Sequence, residues 1–230
     1  RKIEKVLEAA EAGPGKSILE IGCGWGGVAE AVGRKGGRLR GITLSKEQLE
    51  FAQERMKRQG LDGKVELVFE DYRDTKGTFD GIASVEMIEA VGEAHWPDYF
   101  KTLFDRLKPG GAAAIQGITI AEENYESYRS GVDFIQRYIF PGGMLLTKEI
   151  IREQTRKAGL IFEKMECFGL SYARTLKMWH DRFEDAWPKI STMGFDERFR
   201  KLWKLYLCYC EAGFTEGIID VGIYKLRKPA

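Results

Sequence analysis

The chain has 230 residues, with 36 Lys and Arg against 35 Asp and Glu and a formal net charge of +1. That length suits one globular domain with at most one elaborated insertion, and 43% hydrophobic residues suffice for a sizeable core, so a peptide, a repeat array and a disordered tail are excluded. The near-zero charge balance gives no electrostatic reason for a nucleic acid partner, and no run reaches the roughly 18 apolar residues of a membrane-crossing helix, so any membrane contact would be peripheral.

Four cysteines, Cys23, Cys167, Cys208 and Cys210, make no disulfide framework, and the close pair C-x-C lacks zinc-ligand spacing. This points to the reducing cytosol and to no metal. His95 and His180 likewise have no metal partners at ligand spacing.

Ile3, Val6, Leu7 and Ala10 share one helical face at the start, and Arg1 already lies inside that pattern, so further residues are expected upstream. Residues 17–21 (SILEI) read as a strand ending in glycines, 28–32 as helix and 39–44 (LRGITL) as a second strand, together a βαβ unit. Ser45, with Gln48 three residues on, predicts a capping box opening a helix through about residue 59, with Gly60 closing it. Strands follow at 64–69, 79–85 and, after a turn at 108–111, at 112–120, with a helix over 97–107. This alternation predicts an α/β fold with a doubly wound, mostly parallel sheet.

After residue 120 the rhythm breaks: 16 of the 27 aromatic residues fall in 121–213, more than an even spread gives. Residues 125–140, 172–193 and 195–212 read as helices, and 160–167 and 218–226 as the last two strands. The reading is a single domain with core segments 13–120, 147–168 and 214–227 and helical insertions 121–146 and 171–213. The aromatic excess suits helices packing on a sheet, and equally a site that needs large apolar surfaces.

The first strand runs into Glu20-Ile21-Gly22-Cys23-Gly24-Trp25-Gly26-Gly27. Gly22, Gly24 and Gly27 satisfy G-x-G-x-x-G, which admits a nicotinamide or flavin, but that use calls for an acid about 20 residues on, and none lies between Arg34 and Lys46. Glu20, Gly22, Gly24 and Gly26 instead suit E-x-G-x-G-x-G, a loop for S-adenosylmethionine: glycines admit the ligand close to the backbone, and the following helix N-terminus favours its carboxylate. A tight turn without ligand is the plain alternative.

The blocks ILEIGCGWGG, GITLSKEQ, FDGIASVEMIEAVG, LKPGG, YIFPGGML, FGLSYARTLKMWHDRF and YLCYCEAGF occur in this order. In them the chain resembles, over essentially its whole length, the cyclopropane-fatty-acyl-phospholipid synthase and mycolic acid cyclopropane synthase family. The resemblance implies a Rossmann-like class I methyltransferase fold with helical insertions covering the active site. It also implies transfer of a methyl(ene) group from S-adenosylmethionine to the cis double bond of an unsaturated phospholipid acyl chain at a membrane surface. The product would be a cyclopropane, or a methyl or methylene branch with a partner reductase. The setting is the cytoplasmic side, peripheral to the inner face of the membrane, and a homodimer is compatible with it. A binding module without turnover is the competing class, and a nicotinamide oxidoreductase a third.

The resemblance also assigns residues. Glu20, Gly22, Cys23, Gly24, Trp25 and Gly26 form the cofactor loop; Thr43, Leu44, Ser45 and Gln48 lie at the ribose and methionine side; Asp71 and Tyr72 lie beside the adenine. Glu89, Gln116 and Tyr172 would hold a bicarbonate that acts as base, Gln116 standing where the family usually has His. Cys210 coincides with a family cysteine sometimes treated as a nucleophile, while its own surroundings read as helical core. Tyr138, Phe140, Tyr172, Trp179 and Phe183 are expected to line an apolar acyl tunnel, with Arg174, Lys177 and Arg182 meeting anionic headgroups. A Tyr-Ser-Cys lid segment that the family places ahead of the glycine loop is expected outside the residues given.

Overall fold

A computed structural model describes residues 1–230. Short runs rich in Ile, Leu and Val, bounded by Gly and charged residues, make the strands: β1 (Ser17–Ile21), β2 (Arg38–Thr43), β3 (Val65–Phe69), β4 (Phe79–Val85), β5 (Leu107–Ile120), β6 (Ile161–Cys167) and β7 (Ile219–Arg227). They form one seven-stranded sheet in the order β3-β2-β1-β4-β5-β7-β6. The strands from β3 across to β5 are parallel, with Leu19 of β1 opposite Arg40 on one side and Ile82 on the other. The Gly110 N–H bonds to the Lys228 carbonyl while the Ala121 N–H bonds to that of Ile218, so β7 runs antiparallel to β5. The mostly parallel sheet is the one that the alternation predicts.

Nine α-helices accompany it: α1 (Lys2–Ala9), α2 (Gly27–Arg34), α3 (Lys46–Arg58), α4 (Trp96–Arg106), α5 (Glu122–Ser130), α6 (Phe134–Tyr138), α7 (Lys148–Lys157), α8 (Gly169–Ser191) and α9 (Glu197–Thr215). The chain lays β1, β2 and β3 outward in one direction, then crosses to β4 on the other side of β1. Such a reversal leaves a crevice beyond the carboxyl ends of β1 and β4.

Four local expectations need correction. Residues 125–140 are two helices, because Gly131 is extended and Asp133 opens α6 with a reciprocal capping box to Gln136. At α3 only half of a box forms: the Ser45 hydroxyl accepts the Gln48 N–H at 3.2 Å, but the Gln48 side chain goes to Thr43. The glycines at 110 and 111 lie inside β5, where the ladder with β4 shifts register. Finally, α7 has no counterpart in the sequence reading.

The chain divides into two compact units. Arg1–Gly117, Glu149–Glu166 and Ile223–Ala230 make the first; Ile118–Lys148 and Cys167–Gly222 make the second. In the first, Ile18, Leu19, Ile82, Tyr99, Phe100 and Leu103 are wholly buried. The second has its own core of Ala173, Leu176, Leu207, Phe214 and Val221. Burying Leu176 of α8 and Leu207 of α9 there contributes about 2 kcal/mol each.

Candidate active site

The glycine loop follows β1, and Gly22 and Cys23 both donate their N–H groups to the Ile42 carbonyl of β2. Gly22, Gly24 and Gly26 all have positive φ, of 80°, 49° and 80°. Their roles differ. A Cβ at Gly22 would lie 3.0 Å from Met87 Cγ and one at Gly26 3.1 Å from Ala52 Cβ, so these two let the loop pack on its own protein. A Cβ at Gly24 would meet nothing within 4 Å, so its bare side faces space that a ligand can use.

Glu20, 3% exposed, supports the loop from within the sheet. Its carboxyl accepts the Ala29 N–H of α2, while Oε2 has no partner, and burial pushes its pKa well above the usual carboxylate range. A raised native pKa means that stability is lost as pH climbs past the unfolded value of about 4.3. The Glu20→Gln variant therefore should match wild type near that pH and become the more stable of the two as pH rises, by roughly several degrees in Tm at neutrality. Thermal melts across this range check it; parallel curves would show that Glu20 does not carry this burden.

The next two strand ends carry the other predicted cofactor residues. Thr43, buried at the end of β2, accepts the Ser45 N–H at 3.1 Å and donates to Gln48 Oε1 at 3.3 Å. Leu44 and Trp25 stand exposed, Trp25 edge-on to Phe51. Cys23 is buried, and burial with the nearby Glu20 pushes its thiol up to about 12, so it packs rather than reacts. Beyond β3, the Arg73 guanidinium grips both oxygens of Asp71 at 2.9 and 2.7 Å and holds its carboxyl below the usual range. Tyr72 lies edge-on to the buried Tyr99. Loop, Thr43–Gln48 and Asp71–Tyr72 thus sit at three successive carboxyl ends of adjacent parallel strands.

The ends of β4 and β5 bring together three further side chains. Gln116 is fully buried and donates through Nε2 to Glu86 Oε1 at 2.7 Å. Glu86 has φ of 52°, left-handed for a residue with a side chain, at a cost of about 1–2 kcal/mol. Its N–H bonds to the Gln116 carbonyl at 2.8 Å, so backbone and side chain are both tied to β5. Glu89 follows on a short 3-10 turn, and a Cβ at Gly117 would come within 3.6 Å of its Oε1. Glu86 was not among the residues singled out by sequence. Only its inclusion in the VEMIE block could have drawn notice.

Tyr172 belongs to the second unit, where it packs edge-on against Phe168 and Phe214. Cys210 is half-buried beside the same core, and burial pushes its thiol up to about 12. A thiol held there stays protonated near neutrality, so the catalytic assignment is set aside in favour of packing.

Of the five residues expected along the tunnel, Phe183 and Phe140 are linked through Trp203 and Tyr206. Phe183 joins Trp187, Phe199 and Trp203; Phe140 meets Tyr206; Tyr138 meets Phe134; Trp179 is half exposed. A cleft of about 650 Å³ in this unit is lined by Phe168, Leu170, Phe214 and Ile219, with Glu122, Glu123, Lys148 and Asp220 among its polar members.

The sheet order, its reversal beside the glycine loop and the antiparallel β7 define a class I methyltransferase fold. Solved structures agree: a cyclopropane synthase MmaA2 from Mycobacterium tuberculosis superposes with a TM-score of 0.89 at 26% identity, covering 99% of this chain and 83% of that one. Mycolic acid cyclopropane synthase CmaA1, solved with S-adenosylhomocysteine and CTAB, gives 0.91 at 24% identity over the same shares, a likeness of fold.

The chain belongs to the mycolic acid cyclopropane synthetase family, whose match spans residues 1–223. It is 41% identical over 222 residues to a tuberculostearic acid methyltransferase, UfaA1, of Mycobacterium tuberculosis, covering 96% of this chain and 52% of that protein. It is 36% identical over 215 residues to a cyclopropane-fatty-acyl-phospholipid synthase of Escherichia coli, covering 93% and 53%. The chain spans about half the length of these curated relatives.

S-adenosylmethionine fits the residues present: the side of Gly24 where a Cβ would stand is open, and hydroxyl, amide and carboxylate groups follow at the next two strand ends.

Proposed function

We propose that the chain is the catalytic part of an enzyme that transfers a methyl(ene) group from S-adenosylmethionine to the cis double bond of an unsaturated lipid acyl chain. The observation that carries the reading is the open side of Gly24 at the sheet's reversal, in a chain of this family. Bound S-adenosylmethionine supplies an electrophilic methyl on a positively charged sulfur. The protein's own part is positioning. Gly24 admits the ligand close to the backbone, the N-terminus of α2 favours a carboxylate, and Thr43, Gln48 and Asp71 offer hydrogen bonds along its length.

An isolated alkene is a weak nucleophile, and alkylation leaves positive charge on the neighbouring carbon, so water must be excluded and a proton acceptor must be at hand. Aromatic faces stabilise such a cation without being readily alkylated. Two acceptors are candidates: a bicarbonate held by Glu89, Gln116 and Tyr172, which the resemblance implies, and a carboxylate of the chain itself.

Loss of a proton from the new methyl closes a cyclopropane. A methyl or methylene branch, with a partner reductase, is the second reading, favoured by the 41% identity to a relative named a methyltransferase against 36% to one named a cyclopropane synthase. No helix is long and apolar enough to cross a membrane. Peripheral docking on the inner face of the cytoplasmic membrane belongs to the same proposal, with the exposed Arg174 and Arg182 contributing about 1 kcal/mol each near anionic lipid. Lys177 is paired with Asp181 at 2.7 Å and contributes less.

Methyl-labelled S-adenosylmethionine and vesicles of unsaturated phospholipid test the reading. Label should enter the acyl chain as one added CH2, and proton NMR separates a ring from a branched alkene. Cofactor binding without label in the lipid would favour the binding module.

A further inference from the structure

We infer that Glu86 is the proton acceptor of this site and does the work otherwise given to a bound bicarbonate. The inference rests on the proposed transfer to an acyl chain. Its first support is backbone conformation: Glu86 has φ of 52°, and a strained residue persists only where its surroundings hold it. The hold is a two-point clamp to β5, made by the Glu86 N–H to the Gln116 carbonyl at 2.8 Å and by Gln116 Nε2 to Glu86 Oε1 at 2.7 Å. Since a carboxylate only accepts, the Gln116 amide must turn its nitrogen toward Glu86, which commits one of the two N–H groups that an anion could use.

The second support is charge. Glu89 Oε1 lies within 3.6 Å of where a Cβ of Gly117 would stand, next along β5 from Gln116, so two glutamates flank this strand end. The Lys2 ammonium is 3.3 Å from Glu86 Oε1. A bicarbonate seated beside Gln116 would have to share the amide with the Glu86 carboxylate already bound to it, and the Lys2 ammonium that could pair with the anion is held by the same carboxylate. A carboxylate already on the chain needs no such binding.

The step balances. After alkylation the acyl chain carries positive charge on the carbon next to the one methylated. A C–H bond of the new methyl breaks, its electron pair forms the ring-closing C–C bond with that carbon, and the proton passes to the Glu86 carboxylate and from there to solvent.

The experiment compares wild type, Glu86→Gln and Glu86→Asn, the last because Asn tolerates a left-handed backbone. Label transfer is measured in carbon-dioxide-free buffer and with millimolar bicarbonate. Binding of 13C-bicarbonate to the ligand-free proteins is followed by NMR, and S-adenosylhomocysteine affinity by calorimetry. Wild type should be indifferent to bicarbonate and bind none. Glu86→Gln should lose at least about a hundredfold in turnover with cofactor affinity intact. Glu86→Asn, with room made and the charge gone, should bind bicarbonate and regain part of its activity on its addition. Bicarbonate binding or stimulation in wild type, or full turnover in Glu86→Gln, overturns the inference while leaving the transfer reading intact. Absence of label from lipid in every sample overturns the transfer reading, and the NMR result then still decides whether wild type holds the anion.

Discussion

The Gly24→Val variant should fold and yet lose affinity for S-adenosylmethionine by at least about a hundredfold, the equivalent of roughly 3 kcal/mol. Two effects combine. The new side chain enters the open space beside the loop, and a β-branched residue resists the 49° φ that this position adopts. Because a Cβ there touches no protein atom, the core is spared and circular dichroism should stay close to wild type, while the backbone strain lowers Tm by only a few degrees. Titration with S-adenosylhomocysteine in a calorimeter reads the loss directly; undiminished affinity would place the cofactor elsewhere.

A second glycine governs the fold. Gly81 lies in β4, paired with Ile18 and Ala112, and a Cβ there would stand 2.2 Å from the Ala10 carbonyl oxygen at the end of α1. Backbone cannot swing aside as a side-chain tip can. The Gly81→Ala variant should therefore lose about 3 kcal/mol, shifting Tm by roughly 10 °C, with α1 displaced from the strand. A melt within a degree or two of wild type would mean that α1 contributes little to holding the sheet.

Legibility followed scale. The strands at 17–21 and 79–85 could be read because apolar runs end abruptly at glycine or charge, and the parallel order followed from their alternation with helices. Helix α7 could not, since only Ile150 and Ile151 of its ten residues are apolar, too few to stand out in a charged run even though its polarity is one-sided. The break at 131–133 was hidden for a different reason: the apolar period continues through it, while the Asp133 box that restarts the helix is a local hydrogen-bond choice.

The same divide runs through the site. The glycine pattern announces a ligand loop, but which glycine faces the ligand depends on neighbours, Met87 for Gly22 and Ala52 for Gly26, that lie far along the chain. Glu86 owes its left-handed turn to Gln116, thirty residues on, and no window of sequence contains that clamp. For Tyr138, Phe140, Trp179 and Phe183, composition indicates that large apolar surfaces are present, not which of them meet.

The sheet order sets a schedule for synthesis. Strand β7, made after β6, inserts between it and β5, so β6 must wait without its sheet neighbour until the chain has been extended to Arg227. Arg227 and Lys225 then close ion pairs back to Glu11, more than two hundred residues earlier. Contacts of such span are slow to find, and a half-made sheet exposes strand edges meanwhile. On the ribosome, β1 to β5 can assemble while β6 remains an unpaired ribbon, which makes the interval before β7 emerges the point at which a nascent chain most needs a chaperone.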